Sequence, residues 1–241
     1  MNPVREFYQD AQREWDRLDL PLCRIEFAST LALIDQYFTE GMAVLDVGGG
    51  PGRYTIELIT RGCKVTLLDL SPENIALAKA KISEIGLSAE GLLVGDARDL
   101  SNVTDRCFDG ILALGPLYHL YERQERIGFL KAARARLSAG GILIAAYLNA
   151  WGRTLLADAP GCFRDRQKLD RLLSGGKFVG TDACPGFTEC HWCTPDEAQE
   201  ELCDAGFDIL DEIGAEGFAG GMRNEIAAIA NGDRAAFDQI V

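Results

Sequence analysis

Val44-Leu-Asp-Val-Gly-Gly-Gly-Pro-Gly-Arg-Tyr-Thr55 decides the reading of this chain. The five residues Ala43 to Val47 read as a buried strand, apolar but for Asp46. Four glycines follow within Gly48 to Gly52, and an amphipathic stretch comes next. Such a strand–glycine turn–helix unit lets backbone N–H groups approach a polar ligand that a side chain would block. A dinucleotide fingerprint wants G-x-G-x-x-G. The order here is Asp46-x-Gly48-x-Gly50-x-Gly52, with Gly49 filling one gap.

Outward from this turn the chain alternates strand and helix. Upstream, Val4, Phe7, Tyr8, Ala11, Trp15 and Leu18 predict one amphipathic helix over residues 3 to 18, and Phe27, Leu31, Ile34 and Phe38 a second. Downstream, a helix over Tyr54 to Thr60 stops near Gly62, and a strand over Lys64 to Leu68 ends at Asp69. Ser71-Pro72 opens the next helix as N-cap and first helical residue. Strands are expected at Leu92 to Val94, Phe108 to Leu114 and Ile142 to Tyr147, with a helix from about Glu122 to Leu137 before Ser138-Ala-Gly-Gly141. This rhythm means βαβ units, a parallel sheet and right-handed crossovers, so the fold class is α/β, doubly wound and mostly parallel.

After Asn149 the pattern breaks. Residues 150 to 190 read as an insertion over the active edge of the sheet. Order resumes at Thr194-Pro-Asp-Glu197, a capping box, in a helix that ends at Gly206. Phe207 to Ile213 alternates like a strand, Gly214 to Gly221 like a loop, and the tail reads as two short helices with no legible seventh strand. The expected organisation is one domain: residues 1–40 as a helical lid, 41–149 as the ligand-binding core, 150–190 as the insertion, and 191–241 as a helix, strand and tail.

The 241 residues are 47% apolar and 25% charged, with a net charge of −13. That charge opposes binding to nucleic acid or an anionic membrane, because phosphate attraction needs a positive footprint. The basic residues from Arg123 to Arg136 alternate with acids and apolar residues and read as a solvated helix face. No apolar run exceeds the stretch Ile142 to Leu148, far short of a membrane span, and the N-terminus lacks a signal-peptide pattern, so a cytoplasmic location is expected. Eight cysteines are spread along the chain and are expected to be reduced. Cys184, Cys190 and Cys193 with His191 are the right types for a metal, but they lack a second paired C-x-x-C half. No metal is expected, and packing is the plainer reading for this group.

Four segments fall where a doubly wound sheet places its ligand, at the carboxyl ends of neighbouring strands. These are the glycine turn, Leu67-Leu-Asp-Leu-Ser-Pro72, Gly95-Asp-Ala-Arg98 and Leu114-Gly-Pro-Leu-Tyr-His119. In this order and spacing they resemble motifs I to IV of the class I S-adenosylmethionine-dependent methyltransferases, over residues 43 to 149. Among these the chain looks most like small-molecule enzymes related to quinone biosynthesis. The resemblance implies S-adenosyl-L-methionine as cofactor. Asp46, Gly48, Gly49, Gly50 and Gly52 would hold its methionine end, and Asp69 its ribose hydroxyls, with Leu70 packing on adenine. Asp96 and Ala97 would meet the adenine edge, and Leu114 and Gly115 would run beside the sulfonium. An N-terminal helix over the pocket would bring Tyr8 and Trp15 to cofactor or substrate.

A sulfonium methyl is already activated, so its in-line displacement needs positioning, a deprotonated acceptor and a dry site. His119, with Tyr118 beside it, is read either as the group that takes or orients the acceptor proton, or as a cap on the next helix. Trp151 and His191 are candidate substrate contacts from the insertion. A small-molecule acceptor is expected, methylated at O, N, C or S. Three alternatives stay open: a dinucleotide oxidoreductase, a catalytically silent cofactor-binding protein, and an arsenite or thiol methyltransferase using Cys184, Cys190 and Cys193.

Overall fold

The computed structural model describes residues 3–103, 107–152, 166–178 and 188–241. Five strands form one parallel sheet: β1 Ala43–Val47, β2 Lys64–Asp69, β3 Gly91–Val94, β4 Phe108–Ala113 and β5 Leu137–Ala145, in the order β3-β2-β1-β4-β5. The register is direct, with Asp46 opposite Leu67 on β2 and Leu112 on β4. Because β1 lies between β2 and β4, the strand order reverses beside it. That switch point opens a crevice outside the carboxyl ends of β1 and β4.

Alternation along the strands divides the core between two faces. Val44, Val65, Leu112 and Ile144 pack with Ile34 and Phe38 beside helix α3 (Pro21–Tyr37), and with Leu58 of α4 (Arg53–Thr60). Leu45, Val47, Ile111 and Ala113 pack on the other side with Phe129, Leu130 and Ala133. The sheet is therefore covered on both sides, which is why its central strands read as continuous apolar runs. Helix α5 (Pro72–Glu84) completes the β2–β3 crossover; its N-cap Ser71 accepts from Asn74 N at 3.2 Å.

Four expectations are modified. The N-terminal helix is broken into α1 (Pro3–Phe7) and α2 (Ala11–Arg17), because Asp10 caps the second by accepting from Arg13 N at 3.0 Å. β5 begins at Leu137 rather than Ile142, and an irregularity opposite Phe108–Gly110 absorbs the Ser138–Gly141 segment. The Arg123–Arg136 helix, reached from β4 through the short α6 (Pro116–His119) and called α7 here, is not wholly a solvated face: Arg126 is 1% exposed. Phe207 to Ile213 is not a strand. Phe207 packs on the core, but Ile209 and Ile213 face outward at 40% and 47% exposure, with no facing layer to reward alternation.

Beyond the sheet lie β6 (Leu148–Asn149), α8 (Arg166–Leu173), β7 (Gly176–Phe178) and β8 (Cys190–Cys193). β8 is the middle strand of a second, three-stranded sheet, parallel to β6 and antiparallel to β7. Helix α9 (Pro195–Asp204) returns to α7, and the tail forms a 3₁₀ turn (Gly217–Gly221), α10 (Arg223–Gly232) and α11 (Arg234–Asp238). Ala219, Ile226 and Phe237 of this tail pack on Leu22 and Ile25 of α3. Among the described residues no helix is long and apolar enough to cross a membrane.

Glu201 of α9 is 0% exposed and receives the Arg126 guanidinium at 2.7 Å through Nη2 and 2.9 Å through Nε. Removing one partner of such a pair strands a buried charge. Arg126→Ala is expected to destabilise the protein by about 3–5 kcal/mol in urea unfolding, whereas the double change Arg126→Met with Glu201→Leu should recover most of that loss.

Candidate active site

The glycine turn is held from below and from the side. Gly48 N donates to Leu68 O at 2.7 Å, so the chain leaves β1 still bonded to β2. Gly52 caps α4 at φ +87°, a conformation that side-chain-bearing residues rarely adopt. A Cβ on Gly49 would lie 2.4 Å from Asp46 Oδ2, so only glycine lets the turn close on that carboxyl. Asp46 itself is 2% exposed and accepts from Thr55 Oγ1 at 2.7 Å, and burial pushes its pKa up to about 7.

Asp69, at the end of β2, joins the turn to the next helix. Its Oδ2 accepts from Gly50 N at 2.8 Å, and its Oδ1 accepts from Ser71 N at 2.8 Å and Asn74 Nδ2 at 3.1 Å. Burial raises its pKa while these three donors oppose the rise. Asp96, after β3, is held by Arg98 through the backbone N at 2.9 Å and Nε at 3.0 Å, and the guanidinium keeps its carboxyl below the usual range.

The opposite end is built from separate segments. α6 begins straight after Leu114-Gly115 and carries Tyr118 and His119. Glu189 O, which can only accept, lies 3.3 Å from His119 Nδ1, so that nitrogen carries the proton. Nε2 then accepts from the Tyr8 hydroxyl at 3.0 Å. Tyr8 sits in the break between α1 and α2, where its carbonyl accepts from Ser71 Oγ at 3.3 Å. Burial pushes the His119 pKa down to about 4 and raises those of Tyr8 and Tyr118. Nearby, Arg17 bridges Glu14 at 2.8 Å and Glu26 at 3.2 Å.

One cavity of about 610 Å³ runs between these two ends. Asp46, Gly48, Gly49, Gly50, Asp69 and Leu70 line one part, and Asp96, Ala97, Leu114 and Gly115 continue it. Tyr8, Tyr118 and His119 line the rest with Glu14, Arg17 and Glu26. Gly52 is not among the lining residues and instead packs near Ala78. Nor is Trp15, whose ring lies under the Arg53 guanidinium at 4.9 Å. Trp151 is 49% exposed and His191 is bonded to Glu197, both away from the lining. Cys184 falls outside the described residues. Cys190 and Cys193, three apart on β8, sit on opposite faces of the strand, so these two thiols do not converge.

The reading from sequence missed Glu14, Arg17, Glu26 and Asn74. The first two form an i,i+3 pair that resembles any solvated helix face. Asn74 had a usable signal, lying three residues after the Ser71 cap and five after Asp69.

A doubly wound sheet with this crevice and turn is the Rossmann-like fold of the S-adenosylmethionine-dependent methyltransferases. A crystal structure of such an enzyme from Methanosarcina mazei superposes with a TM-score of 0.59 at 23% identity, covering 74% of this chain and 85% of that one. Residues 44–141, from β1 into β5, match the family described as a methyltransferase domain. Ubiquinone biosynthesis O-methyltransferase from Methylocella silvestris is 32% identical over 116 residues, 46% of this chain and 41% of that protein. The protein of the same name from Cereibacter sphaeroides (strain ATCC 17029) is 27% identical over 218 residues, 89% of this chain and 74% of that protein. The chain thus spans between 41% and 74% of the length of these two relatives.

The depressed pKa of His119 has a consequence for stability. Its folded value near 4 lies below the ordinary 6.5, so the unfolded chain takes up the proton first as pH falls. The stability advantage of wild type over His119→Asn is therefore expected to be full above pH 6.5 and to shrink as pH drops toward 4, read by urea midpoints.

Proposed function

We propose that the protein transfers the methyl group of S-adenosyl-L-methionine to an O, N, C or S atom of a small-molecule acceptor. The observation that carries this reading is one cavity joining the Asp69–Gly50 turn to the Tyr8–His119 pair. The residues present fit the cofactor. Asn74 Oδ1 is buried without a hydrogen-bond partner among the described residues, and Asn74 lines the cavity beside Asp69, where a hydroxyl donor would satisfy it. At Gly50, which lines the cavity, an added Cβ would meet nothing nearer than 3.8 Å, so the bare backbone there leaves room for a close approach.

In this reading Asp69 and Asn74 receive the ribose hydroxyls, Leu70 and Ala97 flank the adenine, and Asp96 meets its edge. Asp46 and the glycine turn hold the methionine end, and Leu114 and Gly115 lie beside the reacting centre. When bound, the cofactor supplies a methyl on sulfonium that needs no further activation. The chain's task is to orient the acceptor, exclude water and move one proton. Tyr8 donates its hydroxyl proton to His119 Nε2, so its oxygen remains free to accept from an acceptor hydroxyl. The acceptor proton then passes to Tyr8 as the Tyr8 proton passes to Nε2, and the weakly basic buried imidazole gives it up to solvent when the product leaves. Of the expected lid, the part up to Leu18 brings Tyr8, Glu14 and Arg17 to the cavity lining, while Ile34 of α3 packs on the sheet. Both relatives are O-methyltransferases by name, which supports oxygen as the acceptor atom.

Two variants separate the two ends. Asp69→Asn is expected to weaken S-adenosylmethionine binding by about tenfold or more in calorimetry, as a charged hydrogen-bond acceptor is lost. Tyr8→Phe should leave that affinity unchanged and lower single-turnover methylation by about 10²-fold. The assay is transfer of labelled methyl groups into an extract of small metabolites, read by mass spectrometry. Absence of any methylated product from the wild-type protein would overturn the proposal, and an unaltered rate in Tyr8→Phe would remove the proton relay.

A further inference from the structure

Away from the cavity, the junction of β8 and α9 gathers His191, Cys193 and Glu197. His191 and Cys193 are two apart on one face of β8, and Glu197 lies in the first turn of α9, set by the Thr194 cap that accepts from Glu197 N at 3.2 Å. Their ligand atoms all lie within 4.8 Å of one another, with His191 Nε2 at 2.9 Å from Glu197 Oε1. His191 is 7% and Cys193 2% exposed, while the Glu197 side chain keeps 28%, which leaves an approach from solvent.

We propose that these three residues bind one zinc-class divalent cation, with its fourth position open on the Glu197 side. Nitrogen, sulfur and carboxylate oxygen are the ligand types such an ion takes. Tetrahedral bonds of about 2.0–2.3 Å put ligand atoms roughly 3.3–3.8 Å apart, so the cluster needs to shift by about an ångström. The surrounding charge supports a cation. Arg126 and Arg123 face Glu197, Glu201 and Asp204, leaving three carboxylates against two guanidinium groups. On binding, the Cys193 S–H bond breaks, the sulfur's electron pair goes to the metal, and the proton leaves to solvent. The site does not depend on methyl transfer.

The full chain, stripped with a chelator and equilibrated with zinc chloride, is expected to retain about one ion per chain after desalting, by elemental analysis. Cobalt(II) in its place should give a thiolate charge-transfer band in the near ultraviolet. That band should vanish in Cys193→Ser and persist in Cys107→Ser, whose cysteine is exposed. If Cys193→Ser loses its far-ultraviolet circular dichroism, Glu197→Gln takes its place and should weaken zinc binding by about tenfold or more. Failure of the wild type to retain zinc, a cobalt spectrum without the thiolate band, or full retention in both site variants would overturn the proposal.

Discussion

Asp69 holds the ends of two neighbouring strands and the start of a helix through one carboxyl group. Its bond to Gly50 N ties the turn after β1 to the end of β2, and its bonds to Ser71 N and Asn74 Nδ2 fix the entry of α5. A carboxylate 8% exposed is costly unless donors surround it, and here three do. The constraint runs both ways. The donors keep the acid in place, and the acid ties the turn to the end of β2. Gly49 sits on the second buried acid, Asp46, which Thr55 of α4 bonds in turn. Strand, turn and helix are thus one hydrogen-bonded unit, preorganised before any ligand arrives.

Much of this unit was legible because its causes are local. A buried parallel strand must be apolar, a turn at positive φ must be glycine, and a helix entry wants Ser-Pro. β1 was read with the bounds it has, and the acids after β2 and β3 line the same cavity. What escaped depends on distant partners. The break at Asp10 is a cap that competes with helix continuation, and apolar spacing alone does not show which wins. Phe207 to Ile213 alternates correctly for a strand, yet alternation forms a ladder only where a neighbour supplies hydrogen bonds and a facing layer. Arg126 looked like surface because its partner, Glu201, is 75 residues away.

The Tyr8–His119 end of the cavity shows the same dependence more strongly. His119 comes from the segment after β4, Tyr8 from the lid, and Glu189 from the approach to β8, so no single stretch of sequence encodes their meeting. Glu14, Arg17 and Glu26 reach the cavity by the same route, from helices whose polar faces would otherwise be solvated.

Arg126 connects this assembled end to the rest of the molecule. Its Nη1 donates to Leu120 O and Tyr121 O, both at 2.9 Å, while its other nitrogens bind Glu201 and Glu197 of α9. One buried guanidinium therefore clamps the chain just beyond His119 to the helix that follows β8. Such a clamp has little value for the glycine-turn end, which Asp69 already secures. Its value lies in holding β8, and with it Glu189 O, at the distance that selects the His119 tautomer. A buried ion pair seldom adds much stability over apolar packing, so specificity of arrangement is the better account of its presence. The protein thus divides its constraints: local hydrogen bonds build the half of the cavity that the fold supplies, and long-range charge pairing positions the half that distinguishes this chain.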